Sequence, residues 1–359
     1  MPYPFLPAGD DAVPVAVRGF ARAHADLVTL HEDPIHLVAN HRSPDRRVAL
    51  VSGGGSGHEP LHAGFLGRGM LDAVAPGPVF TSPHNKAVLH ASRAALAGLD
   101  APQGVLHVVK NYTGDRINFG IAAERLRMEG IDVRRVLVDD DLATDALDTA
   151  TGRRGTGATV VVEKILGAAA DTGAGIAELA QLGADVAAAS RSLAVASRAQ
   201  TSHRTGEPAF ALDGELDYGV GIHGERAQRS VPRPPAEELV ARMLDEIVAG
   251  LPDGSDDVVL VVNGMGGTAL LELYALAELA SQVLDDRGLS RTGTLVGTFV
   301  PALDMAGFSL TLTRMRPEWT ELWAAPTGTA AFPPSTGNPS TGNPSTDGPG
   351  TDDRTEEAR

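Results

Sequence analysis

The chain has 359 residues, 43% of them apolar, a formal net charge of −16 and no cysteine. This length accommodates two ordinary domains with filled cores. The missing cysteine excludes disulfides, thiolate catalysis and cysteine-bound zinc, and the acidic balance disfavours general nucleic-acid binding, because phosphates would be repelled. No apolar run approaches the ~20 residues of a membrane span. The first twenty residues lack a basic start followed by an apolar stretch, so no secretory signal is expected and the expected location is cytoplasmic.

In chain order, the first β-branched run is VALV (48–51), followed by a glycine cluster. VLHVV (105–109) comes next, then a helix-like NFGIAAERLRMEG that stops at Gly130, then VRRVLV (133–138). The alanine-rich segment 158–197 reads as helical, with Ile176, Leu179, Leu182 and Val186 on one face. VVLVV (258–262), a helix-like GTALLELYALAELASQVLDDRG and TLVGTFV (294–300) complete the pattern. Near-continuous apolar strands alternating with helices predict an α/β fold, two α/β domains with mostly buried sheets. A boundary near residues 190–200 divides an N-terminal domain (1–195) from a C-terminal one (196–325). From Pro326 the composition changes to proline, glycine, serine and threonine, with PSTGN occurring twice; 326–359 is expected to be a disordered tail.

The string VSGGGSGHEPLH (51–62) fits three chemistries in part. A triphosphate loop needs a Gly-Lys-Ser/Thr ending, and none occurs anywhere in the chain. A dinucleotide fingerprint fails because His58 stands where its third glycine belongs. HEPLH satisfies the zinc-peptidase pattern, but Pro60 disrupts the helix that would put His58 and His62 on one face. What remains is a strand, a glycine loop that lets a small ligand approach backbone, and a helix whose free amides face it.

Four further islands carry polar residues. In VVKNYTGDRINFG (108–120) a strand delivers Lys110, and Asp115 precedes a helix as either an N-cap or a general base. Asp139, Asp140 and Asp141 follow a strand; they could hold a metal, but acidic residues at a strand end read first as capping or solvated groups. In GVGIHGE (219–225) His223 lies between Gly221 and Gly224. NGMGG (263–267) and PALDMAGFSLTL (301–312) either serve a site or turn the chain.

Taken together and in order from about Pro14 to Pro326, SGGGSGHEPLHAGFLGRGML, FTSP, KNYTGDRINF, DDD with GRRG, GVGIHGE, LVVNGMGG and LDMAGFSLTL resemble the dihydroxyacetone kinase family, in its dihydroxyacetone-binding K subunit. The resemblance implies a homodimer that holds the ketone covalently as a hemiaminal on His223. It implies that His58 and Asp115 serve the hydroxyl receiving phosphate, and that Gly55, Ser56, Gly57 and Lys110 are substrate contacts. It places no cofactor or metal on this chain. ATP or ADP with magnesium belongs to a separate L-type subunit, with a phosphotransferase-system donor able to act through it. The stretch SRAQTSHRTGEPAF departs from the family pattern, with His203 and Arg204 in it, which leaves room for a longer keto-sugar such as erythrulose. A non-catalytic ketone sensor or co-activator is the competing reading.

Overall fold

A computed structural model describes residues 5–7, 12–145, 152–212, 214–225, 227 and 229–334. After helix α1 (Ala12–Ala23) the first sheet is built from β1 (Val28–Glu32), β2 (Ile35–Ala39), β3 (Val48–Ser56), β4 (Ala73–Val79), β5 (Gly104–Lys110) and β6 (Val133–Val138). Its spatial order is β1-β2-β4-β3-β5-β6. The four strands β4, β3, β5 and β6 run parallel, and the β1–β2 hairpin closes one edge antiparallel. Helices α2 (Asn85–Ala97) and α3 (Thr113–Met128) are the crossovers of these parallel strands.

Helices α4 (Ala158–Asp171) and α5 (Ile176–Ala188) follow. Every residue of α4 from Ala158 to Ala170 is buried, which is what a helix apolar on all sides requires. The side chains of Val160, Val161, Val162, Ile165 and Leu166 each contribute up to about 1.5–3 kcal/mol of burial. Arg46, wholly buried, anchors the end of this helix: it bonds Asp171 at 2.7 Å, Asp72 at 2.9 Å and the carbonyl of Gly167 at 2.8 Å.

The second sheet comprises β7 (Ser190–Arg198), β8 (Leu216–Tyr218), β9 (Arg229–Val231), β10 (Asp257–Gly264), β11 (Ser290–Gly297) and β12 (Ala306–Arg314). Its order is β11-β10-β12-β7-β8-β9, parallel only between β10 and β11. Helices α6 (Ala236–Gly250) and α7 (Leu270–Asp286) pack against it, and α8 (Pro317–Ala324) packs on α4. Because α4 touches strands of both sheets, it is the shared wall between them.

Three expectations change. The helical reading of 158–197 holds only to Ala188: Ser190–Arg198 is a strand, held by eight registered partners in β12, and the division drawn at residue 195 falls inside it. The glycines of VSGGGSG do not form a loop after β3 but are its continuation, buried through Ser56, and the helix expected next is one 3-10 turn, Ala63–Phe65. Third, Pro326–Pro334 is not a loose tail. Gly328 N–H bonds the Arg68 carbonyl, Ala331 N–H bonds that of Gly64, and buried Phe332 stacks edge-on against Phe65 and Trp323. One buried aromatic side chain and a few backbone bonds fasten a segment whose composition looked solvent-borne. The PSTGN repeats, from Ser335 onward, lie outside the described residues.

Candidate active site

The carboxyl ends of β3 and β5 deliver the polar groups, as parallel strands do. Lys110, the last residue of β5, is buried, and its ammonium nitrogen occupies the space beside Gly54: a Cβ there would lie 2.3 Å from Nζ. Glycine is needed at position 54 for this close approach, not for turning the chain. Lys110 Nζ lies 2.9 Å from His62 Nε2 and 4.0 Å from Asp115 Oδ2. Asp115 sits in the first turn of α3, whose N-cap is Tyr112, so the capping role is not its own. Its Oδ1 accepts the Ser82 hydroxyl, from the turn that follows β4.

His58 is fully buried. Its Nδ1 lies 2.7 Å from the Pro301 carbonyl oxygen. A carbonyl only accepts, so Nδ1 carries the proton and Nε2 keeps its lone pair. Nε2 has no hydrogen-bond partner among the described residues. Burial, reinforced by the charges of His223 and Lys110, holds the imidazole well below the usual histidine range, against the opposing pull of the Pro301 bond. Pro301 is itself held from the second sheet. Asn263 on β10 accepts the Phe299 and Val300 amides at 2.8 Å each and donates to the Val300 carbonyl at 3.1 Å. Leu303 N–H then bonds the Gly57 carbonyl at 2.9 Å. The NGMGG and PALDMAG stretches thus serve His58, one sheet away.

His223, in the turn after β8, lies 4.8 Å from His58 between ring centroids, with Tyr112 at 4.3 Å and Phe80 at 5.7 Å. Its side chain retains 17% exposure where His58 has none, so it is the end of the pair that solvent can reach. Glu225 clasps it twice, Oε2 accepting the His223 amide at 3.0 Å and Oε1 lying 3.2 Å from Nδ1. Burial would raise the Glu225 carboxyl, but the bond and charge of His223, with Arg154, outweigh it and bring it to about 2. A carboxylate at Nδ1 fixes that nitrogen as the donor, so the neutral ring again keeps its lone pair on Nε2. Arg154 belongs to the GRRG stretch and is fastened to Asp141 and the Gly219 carbonyl.

The other predicted residues divide by role. Ser56 spends its hydroxyl proton on the Gly77 carbonyl, and its own carbonyl accepts Phe80 N–H. Gly57 N–H bonds Glu59, and Gly55 packs against the Phe80–Thr81 turn. Phe80 and Leu303, both in left-handed backbone (φ 53° and 56°), flank Gly57. Such conformations in residues with a Cβ collect where the surroundings demand them, as around binding sites. His62 does not pair with His58 on a helix; it is buried between Ser52, Glu163 and Lys110. The three aspartates are structural. Asp140 binds Thr156, Ala158 and Ser192; Asp141 and Asp139 pair with Arg154 and Arg153. Among the described residues no group of three His, Asp or Glu has metal-site geometry, and no helix is long and apolar enough to cross a membrane.

Sequence reasoning missed Glu163, Ser52, Ser82, Tyr112, Glu225 and Gln200. Gln200 is the departure segment's link to the site: its amide lies against Gly224, whose φ of +78° favours glycine. His203 and Arg204 stand in a turn further out. An apolar cavity of about 460 Å3 lies beside α1, lined by Val13, Val17, Phe20, Gly54–Gly57 and His62. His58, Asp115 and His223 do not line it.

Two docked sheets with a histidine pair at their junction, backed by a buried lysine and aspartate, make a small-molecule-binding α/β protein. The chain belongs to the Dak1 domain family, whose model matches residues 18–331. It is 41% identical over 331 residues to the dihydroxyacetone-binding subunit of a PTS-dependent dihydroxyacetone kinase of Listeria innocua, covering 90% of this chain and 98% of that one. Among solved structures it superposes on the dihydroxyacetone kinase of C. freundii with a TM-score of 0.85 at 32% identity, covering 94% of this chain and 61% of that one. A dihydroxyacetone kinase operon co-activator is similar too, with a TM-score of 0.81 at 32% identity over 88% of this chain and 97% of that one.

Proposed function

We propose that this chain is the ketone-binding subunit of a dihydroxyacetone kinase, holding dihydroxyacetone as a hemiaminal on His223. The observation that carries the reading is the paired histidines: each has its Nδ1 against a protein acceptor, so each ring, when neutral, presents an unprotonated Nε2. One can act as nucleophile and the other as base. In the capture step the His223 Nε2–carbon bond forms and the carbonyl π pair moves to oxygen. The ring proton leaves Nδ1 through Glu225 to solvent, and the alkoxide oxygen takes one proton from solvent, so ketone and neutral imidazole give a neutral adduct. The product nitrogen has no further proton to lose, so no neutral imine follows and the adduct is reversible. A compound with no carbonyl, such as glycerol, is not captured.

Anchoring the carbonyl fixes the terminal hydroxyl, which removes much of the entropic cost of phosphoryl transfer. His58 Nε2 or Asp115 takes the hydroxyl proton as phosphorus is attacked. Lys110 supplies positive charge beside Asp115. The nucleotide and its magnesium sit on an L-type partner, and this chain works as a homodimer in the cytoplasm. The similar co-activator shares the fold, so the fold does not separate catalysis from sensing. The buried Lys110–Asp115 pair next to a free imidazole nitrogen supports catalysis.

The test combines the chain with an L-type subunit, ATP and a panel of ketoses, with dihydroxyacetone 13C-labelled at its carbonyl. The carbonyl carbon should move to a tetrahedral shift on binding, and His223→Ala should abolish that signal. Asp115→Asn should bind normally but transfer phosphate at least ~100-fold more slowly. Transfer by Asp115→Asn at the wild-type rate would remove the catalytic assignment. Turnover of erythrulose but not dihydroxyacetone would move the substrate and keep the mechanism.

A further inference from the structure

A second carboxylate lies behind the site, on a helix with no exposed residue between Ala158 and Ala170. Glu163 Oε1 is 2.6 Å from His62 Nδ1, and His62 Nε2 is 2.9 Å from Lys110 Nζ. Lys110 in turn faces Asp115 at 4.0 Å. Glu163, His62, Lys110 and Asp115 form one buried row, none of them more than 4% exposed.

The protons in this row can be assigned. The Ser52 hydroxyl also lies at His62 Nδ1, at 3.0 Å, but it donates its own proton to the Val108 carbonyl at 2.9 Å. When Glu163 is ionised, both neighbours of Nδ1 are therefore acceptors, and Nδ1 carries the hydrogen. Nε2 is left with a lone pair, which an ammonium group can use. Resting on the kinase reading of the site, we infer that Glu163 is a positioning residue: through His62 it keeps the Lys110 ammonium charged and seated on Gly54, beside Asp115 and the substrate hydroxyl.

The charges around Lys110 support this. It meets Asp115 from α3, His62 and His58 from the segment after β3, and Glu163 from α4. Burial lowers the lysine, while Asp115 and Glu163 are the anions that hold it up. Burial also pushes the Glu163 carboxyl up to about 8, against the Lys110 charge. As pH rises through that value Glu163 gains its negative charge. That charge opposes the loss of the Lys110 proton, which burial favours.

The chain has three lysines, Lys86, Lys110 and Lys164, so 13Cε-lysine NMR of the full-length protein resolves each one. In Glu163→Gln the amide keeps the shape and the Nδ1 contact but cannot become negative. The Lys110 midpoint should fall by about one pH unit relative to wild type. Glu163→Asp should recover most of that shift. With the L-type partner, the alkaline limb of kcat should move down with the lysine, while KM for the ketone at pH 7 stays the same. An unchanged Lys110 midpoint in Glu163→Gln overturns the inference. So does a wild-type 15N spectrum with the His62 proton on Nε2, a measurement that needs no variant. If the midpoint moves but the wild-type pair phosphorylates no ketose, the kinase reading fails and the Glu163–Lys110 coupling stands.

Discussion

His58 gives its Nδ1 proton to the carbonyl oxygen of Pro301, 2.7 Å away and 243 residues further along the chain. The bond joins the two sheets and at the same time decides which nitrogen of the imidazole is free. The position of Pro301 rests on Asn263, which satisfies two amides and a carbonyl of the 299–300 turn.

Asn263→Ala should therefore act at a distance. Leaving three buried backbone groups without partners should cost about 2–3 kcal/mol of stability in urea unfolding. In the surviving native protein kcat should fall while ketone affinity holds, because His223 is supported separately by Glu225.

Glu225→Gln probes that other support. The amide can face Nδ1 with either atom and carries no charge, so the ring loses both its fixed tautomer and its stabilising carboxylate. The expected result is a fall of roughly 10–100-fold in dihydroxyacetone affinity, measured by calorimetry, from the loss of a charge-assisted bond worth about 1.5–3 kcal/mol.

Adjacent glycines should respond differently to alanine. At Gly53 a Cβ would stand 2.4 Å from the Ala75 carbonyl oxygen, a backbone atom of the neighbouring strand. Gly53→Ala should destabilise the fold by about 1–3 kcal/mol or more, as overpacking does. At Gly54 the obstacle is the end of a side chain, Lys110 Nζ. Gly54→Ala should remain closer to wild type in thermal melting but lose phosphoryl transfer, because the ammonium is displaced. Equal melting losses in the two variants would contradict the assignment of Lys110.

Acid lability has a contributor away from the site. His107 on β5 is fully buried, bonded to Ser92 at 2.9 Å, and burial, helped by Arg127 and Arg135, lowers it to about 3. The unfolded chain protonates this histidine near the ordinary histidine value of 6.5 while the folded one does not. The folded state thus loses stability as pH falls from about 6.5 towards 3, and loses none of it above 6.5. His107→Gln should remove about 2 kcal/mol of the stability difference between pH 8 and pH 5, read from urea midpoints at the two values.

The parts legible in the sequence were those whose local chemistry agrees with their tertiary setting. VALV, VLHVV and VRRVLV are strands because both faces are covered, and α3 stops at Gly130 in left-handed backbone as its composition indicates. SRSLAVASR carries alanines at helical density, yet β12 on one side and β8 on the other make it a strand; pairing overrode propensity. Nothing in a local motif singles out Glu163 and Lys164. A clue was present: in ATVVVEKILGAAA every other residue is apolar or small, so the helix had to be enclosed and its charges had to have partners. The site histidines stood out by their glycine neighbours. Their tautomers could not be read, because Pro301 and Glu225 reach them only after folding.

The span between His58 and Pro301 also has a consequence for how the molecule is made. A ribosome delivers His58 early, and Pro301 only when most of the chain has emerged. Until the second sheet forms and docks, His58 has no fixed proton and His223 has no partner ring. The two-histidine site is therefore absent from the nascent protein and is among the last parts of the molecule to be completed.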